Sequence, residues 1–221
     1  MLPDLKEEID MRLAALPSPS AAQIRSIRRE FSKRVGKASP EFVVKLAMRL
    51  IKGSRIANRF IAYELVQHHR EALRSLNARR LVELGRGIDS WSVVDMFACY
   101  LAGPVWREKQ VPDDLVLGWA RSEDRWWRRA ALVSTVPLNT KARGGRGDVA
   151  RTLKICEMLI ADRDEMVVKA LSWSLRELAK REPKPVRAFL SKHKDVLAAR
   201  VTREVNNKLT TGLKNVHKEK R

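Results

Sequence analysis

The sequence predicts an all-α fold, a HEAT-like helical-repeat solenoid: a single curved domain over residues 1–221 with a basic concave groove. Three observations predict it. Apolar residues recur at spacings of three and four, as at Ile56, Phe60, Tyr63 and Val66, which marks helices with a buried face. No stretch alternates at period two with β-branched residues over the length of a strand. Four segments also resemble one another: IANRFIAYEL (Ile56 to Leu65), WSVVDMFACYL (Trp91 to Leu101), WWRRAALVSTV (Trp126 to Val136) and MVVKALSWSL (Met166 to Leu175). Laid together, they stack Arg59, Asp95, Arg129 and Lys169 at separations of 36, 34 and 40 residues. Periods in the thirties to forties belong to TPR, HEAT and armadillo arrays; the missing TPR consensus and the wandering period favour HEAT-like pairs.

The helix boundaries follow from local punctuation. PSPS (Pro17 to Ser20) ends an opening helix, and Ser20 with Gln23 suits a capping box for the next. Ser39 before Pro40 and Glu41 marks another start, with proline at the first helical position. Ser90, after Gly85 and Gly87, takes the cap position ahead of Trp91. Pro104, Pro112, Pro137, Pro183 and Pro185 mark further breaks. NTKARGGRGD (Asn139 to Asp148) interrupts the array as a mobile basic loop, poorly ordered without a partner. From Arg200 onward the chain completes a last helix and then frays into a basic tail at about residues 215–221.

Charge names a partner class. With 45 Lys and Arg against 26 Asp and Glu, the net charge of +19 attracts phosphate backbones. Ribosomal contact, a membrane surface or non-specific RNA binding would give the same balance. A hydrophobic content of 44% excludes a disordered basic tail protein. Cys99 and Cys156 lie in separate apolar helical contexts, so no disulfide framework is expected. The start, MLPDLKEEID, lacks the basic n-region and apolar run of a secretory signal, and no apolar stretch approaches a membrane span. A cytoplasmic monomer, nucleoid-associated through DNA, is the expectation.

Within this basic chain Trp91 and Asp95 stand one helical turn apart, so both project from one helix face. A carboxylate displayed on a polyanion-binding surface suits chemistry on a cationic group carried by the polyanion, which points to alkylated DNA. Each residue also has a plainer role open to it. Trp91 and Trp173 suit a core, as do Trp106, Trp119, Trp126 and Trp127, although Trp126 or Trp127 would also reach a groove. Asp95 suits a first-turn acid, and Arg129 a solvated cation. His68 and His69 are adjacent and face different ways, and His193 and His217 lack ligand partners at metal spacing, so neither a metal site nor a cofactor is expected. GGRG (Gly144 to Gly147) lacks the lysine–serine ending of a P-loop, and no GxSxG elbow appears.

SWSVVD, RRAAL and KALSWSLREL, in this order, resemble the AlkD-like DNA alkylation repair glycosylases from about Ile24 to about Asn206. The resemblance implies a HEAT-like solenoid that wraps duplex DNA and excises cationic 3-alkyladenine and 7-alkylguanine bases without flipping them into a pocket. It places Trp91, Asp95, Arg129 and Trp173 at the family's active-site positions. Asp95 would stabilise the developing sugar cation, the indoles would hold the cationic nucleotide, and Arg129 would fork onto the neighbouring phosphate. Arg128, Lys141, Arg143, Arg146 and Lys169 complete the expected DNA contacts. The loop at Asn139 to Asp148 looks longer than the family's usual connection, and Arg128 adds a second cation beside Arg129. The alternatives are a non-catalytic DNA-binding protein of the same fold, or a HEAT-type scaffold for acidic proteins or RNA.

Overall fold

The computed structural model describes residues 4–53 and 55–215. Their helices are α1 (Leu5–Ala14), α2 (Ala21–Val35), α3 (Pro40–Leu50), α4 (Ile56–His68), α5 (Arg70–Arg74), α6 (Ala78–Gly85), α7 (Trp91–Phe97) and α8 (Gly103–Arg107). There follow α9 (Asp113–Ala120), α10 (Arg125–Ser134), α11 (Val136–Asn139), α12 (Val149–Met158), α13 (Glu165–Ala179), α14 (Pro183–Lys192) and α15 (Ala199–Thr211). No strand occurs among the described residues. Two of the predicted starts form as expected. Ser20 and Gln23 close a reciprocal capping box on α2, and Ser39 accepts from the Phe42 amide ahead of Pro40 on α3. The expected tail lies almost wholly outside the described residues, as does His217.

The four similar segments become α4, α7 with its continuation, α10 and α13, which lie side by side in that order, with α15 beyond α13. The helix before each packs behind it: α3 on α4, α6 on α7, α9 on α10 and α12 on α13, while α2 covers the free flank of α4. Each pair buries its apolar stripe only against its neighbours, which gives the two-layer logic of a helical-repeat solenoid.

Two boundaries differ from the sequence reading. Pro104 does not end a helix: α7 runs on through a π-helical turn at Ala98–Ala102 into α8. Proline has no N–H for the Tyr100 carbonyl, and the Gly103 amide reaches back five residues to the Ala98 carbonyl, so the helix absorbs the lost bond by widening one turn. Gly103 is required here, because a Cβ would sit 2.6 Å from the Ser134 carbonyl oxygen where the turn presses on α10 and α11. Ser90 also differs, since it takes the extended N-cap backbone but its side chain caps nothing and faces the Ser92 hydroxyl at 3.5 Å.

An aromatic cluster sets the roll of α7. Phe97 is fully buried and meets Tyr63, Trp119 and Trp127 at centroid separations of 5.9 Å. Val93 and Val94 are sealed beside it. With these three facing the core, the helix has one orientation left for Trp91 and Asp95.

Candidate active site

Trp91 opens α7 with 58% of its surface exposed. The core role open to it from the sequence therefore does not apply. Asp95 follows one turn later, in the second turn of the helix and not the first, and its side chain is 19% exposed at the seam between α7 and α10. Across the seam Arg129 rises from α10 with its side chain only 6% exposed. Its Nε donates to Asp95 Oδ1 and its Nη2 to Asp95 Oδ2, both at 2.9 Å, and its Nη1 donates to the Met166 carbonyl of α13 at 2.6 Å. One side chain thus ties α7, α10 and α13 together.

That geometry corrects the expected role of Arg129. Its fork is filled by Asp95 and its remaining amino group by a main-chain carbonyl, so it does not point a free fork at a phosphate. Its effect on the site runs through Asp95. Burial pushes the Asp95 carboxyl above the ordinary aspartate range, against the opposing pull of the Arg129 bonds and charge. The outcome is an oriented carboxylate with a small open edge. Cys99, one turn on, is no nucleophile, since burial pushes its thiol up to about 12.

The remaining residues divide. Trp173 lies on α13 beyond Met166, half-buried against the core. Trp106 and Trp119 are core, and Trp127 closes the aromatic cluster 5.0 Å from Trp119, while Trp126 is half-buried under the Arg125 guanidinium. Arg128 is a structural clasp: its Nε meets Asp162 Oδ2 at 2.7 Å and its Nη1 meets the carbonyls of Ser122 and Glu123. Its Nε and Nη1 are thus committed within the protein, and its side chain is 20% exposed. Lys169 pairs with Glu165 at 2.8 Å and stays 40% exposed.

The loop after α11 is also tied down, contrary to the expected mobile segment. Asn139 is buried, donating to the Thr135 carbonyl and the Thr152 hydroxyl while accepting from the Asp148 amide. The Gly147 amide returns to the Leu138 carbonyl, Arg107 donates to the Arg143 carbonyl, and Arg181 to the Gly145 carbonyl. A Cβ at Gly145 would meet the Pro137 carbonyl oxygen at 2.6 Å, so glycine lets the loop fold flat. Lys141 and Arg146 remain exposed. Arg143 turns inward, its guanidinium 5.4 Å from the Tyr100 ring centroid and its Nη1 3.5 Å from the Cys99 carbonyl oxygen.

Sequence reasoning passed over Tyr100, Arg25 and Glu64. Tyr100 sits in the π-helical turn, and its phenol helps to hold Arg25 in the charged form, while Arg25 lies over the Phe60 ring of α4 and its Nε donates to Glu64 Oε1 at 3.2 Å. Arg28 fills the other Glu64 oxygen at 2.8 Å. The only sequence signal was the pair of arginines at i and i+3 on α2 facing a buried acid on α4.

Comparison with known proteins agrees with this architecture. A family model described as DNA alkylation repair enzyme matches residues 20–209. A solved structure, a predicted DNA alkylation repair enzyme from Enterococcus faecalis, superposes with a TM-score of 0.71 at 17% identity and covers 87% of each chain. That likeness establishes the shared helical-repeat fold. No curated protein matches the chain.

Proposed function

Because the chain belongs to the DNA alkylation repair enzyme family, we propose that it is a DNA glycosylase that excises cationic alkylpurines from duplex DNA. One observation carries the reading: an exposed indole, Trp91, stands one turn from a carboxylate, Asp95, that is mostly buried and gripped at both oxygens by Arg129. In a chain of net charge +19, an oriented carboxylate beside an open aromatic face is arranged for a positive group delivered by a polyanion.

The chemistry follows from the charges. Alkylation at a ring nitrogen leaves the purine cationic, so the base departs as a neutral molecule with the electron pair of the glycosidic bond. Positive charge then develops on the deoxyribose, as in other oxocarbenium-like reactions. A fixed carboxylate at that sugar stabilises the charge without reorganising. Water adds at C1′, and its proton passes to Asp95 or to solvent. No general acid is required, which fits a single carboxylate in place of the usual glycosidase pair. The indoles hold the cationic nucleotide by cation–π contact, each worth roughly 0.5–2 kcal/mol. Arg129 is a positioning residue here, because both its carboxylate contacts orient Asp95.

Release of 7-methylguanine from methylated duplex DNA tests the reading, wild type against Asp95→Asn. Wild type releases the base and Asp95→Asn loses most of that activity while still binding duplex DNA. A wild type that binds but releases neither 7-methylguanine nor 3-methyladenine would make the chain a non-catalytic DNA-binding protein of this fold.

A further inference from the structure

One turn past Asp95 the same helix carries a cationic arrangement that the excision step does not use. The π-helical turn withdraws the Gly103 amide from the Cys99 carbonyl, its partner in a regular α-helix. Arg143 is aimed at that carbonyl and lies over the face of Tyr100. Its backbone is fixed by Arg107 through the Arg143 carbonyl, so the side chain is presented from a braced loop. The Arg25 guanidinium lies over the Phe60 ring, 5.2 Å from its centroid, with the Tyr100 phenol near enough to raise its pKa. The phenol and Glu64 both favour its charged form.

Two guanidinium groups, of Arg25 and Arg28, share one carboxylate, Glu64, which is 5% exposed and occupied at both oxygens by their Nε atoms, while Arg143 has no carboxylate partner among the described residues. Arg28 is 11% exposed and belongs to the packing. Arg25 is 44% exposed and spends its Nε on Glu64. Among the described residues, Arg143 makes side-chain bonds only through Nη1, and that contact is long. The exposed Arg25 guanidinium and the half-buried Arg143 guanidinium and Tyr100 phenol, together in charge excess, match the oxygens of a phosphodiester.

We propose that Arg25 and Arg143, converging on Tyr100, form a clamp for a DNA backbone phosphate that seats one strand against the helix carrying Asp95. This rests on the reading of the chain as an enzyme acting on duplex DNA, and it assigns Arg25 and Tyr100 to that interface. The contact is sequence-independent, since phosphate oxygens are alike at every step. It also supplies the backbone anchor that Arg129, committed to Asp95, does not.

The test is binding to an undamaged duplex of fixed length as a function of salt, for wild type, Arg25→Gln with Arg143→Gln, and Arg25→Lys with Arg143→Lys. The glutamine pair lowers the slope of log K against log salt by about two charges' worth and weakens binding about tenfold at moderate salt. The lysine pair restores the slope. In excision, the glutamine pair raises KM far more than it lowers kcat. An unchanged salt slope in a glutamine pair that melts like wild type overturns the clamp and leaves a brace for Tyr100. Should the pair fail to fold, each single glutamine variant is expected to lose about one charge's worth of slope, and no loss in either overturns the proposal. The slope is read on DNA without lesions, so absence of glycosylase activity in the wild type would defeat the catalytic reading and leave this measurement intact.

Discussion

Arg129 and Asp95 meet as a two-point fork at 2.9 Å and 2.9 Å, with 6% and 19% of their side chains exposed, across the seam between two repeats. Removing one partner of such a pair strands the other, at about 3 kcal/mol for a buried pair and less here because Asp95 keeps an open edge. Arg129→Leu is therefore expected to lower stability by about 2 kcal/mol in urea denaturation and to cut base release even at temperatures where it is folded. A variant with full activity and wild-type stability would remove the positioning role.

Asp95 must be ionised to stabilise a sugar cation, and its carboxyl titrates above the ordinary aspartate range because of burial. Base release, corrected for uncatalysed depurination, should rise with pH along an acid limb that lies above that range. Arg129 pulls the Asp95 pKa down, so Arg129→Gln moves the limb to higher pH. A limb that stays in place in this variant would disconnect the two groups.

The same shift has a stability counterpart of opposite sense to the usual salt-bridged acid. A carboxyl whose folded pKa lies above its unfolded value favours the fold when protonated. That contribution is full below the unfolded value near 3.8 and is lost as pH rises through the folded value. Wild type should accordingly gain stability relative to Asp95→Asn as pH falls through that window, as read from paired melting curves. A gap that moves the other way would mean that Arg129 outweighs burial.

Two tryptophans separate function from packing. Trp91, mostly exposed, should tolerate alanine within about 0.5 kcal/mol of stability while base release falls sharply. Trp127, packed on Phe97 and Trp119, should lose about 3 kcal/mol on the same change. Equal destabilisation by both would return Trp91 to the core.

The loop after α11 offers a matched pair of changes. Gly145→Ala drives a methyl into the Pro137 carbonyl and should cost about 1–3 kcal/mol. Lys141→Ser with Arg146→Ser should leave the melting temperature alone and lower the salt slope of duplex binding by up to about two charges' worth. An unchanged slope makes these two exposed cations bystanders.

Much of the fold was legible because it is written in local signals. Ser20 with Gln23, and Ser39 before Pro40, act within one turn of themselves, and the repeated register put Asp95 and Arg129 in one column before any contact was known. What the column did not convey was that its two members would close on each other. That depends on how far α10 lies from α7, which is set by Gly103, Phe97 and Trp127. The clasp of Arg128 on Asp162 is hidden from the sequence for the same reason, since the two are 34 residues apart. Pro104 was read as a stop because its usual effect is local, whereas here packing on α10 and α11 holds the helix together through the defect. The glycines of the loop likewise serve close approach where flexibility was expected.

The widened turn at Ala98–Ala102 is also an angular offset. One residue beyond the regular turn rotates everything before it by about 100° relative to everything after. Trp91 and Asp95 are on one side of that offset, and Val105 and Trp106, which are sealed in the core, are on the other. The distance from carboxylate to core is thus measured in rotation as well as in residues. A relative lacking a single position in this stretch would turn a different side chain toward Arg129 while keeping every neighbouring letter, and would need a different chemistry to use it.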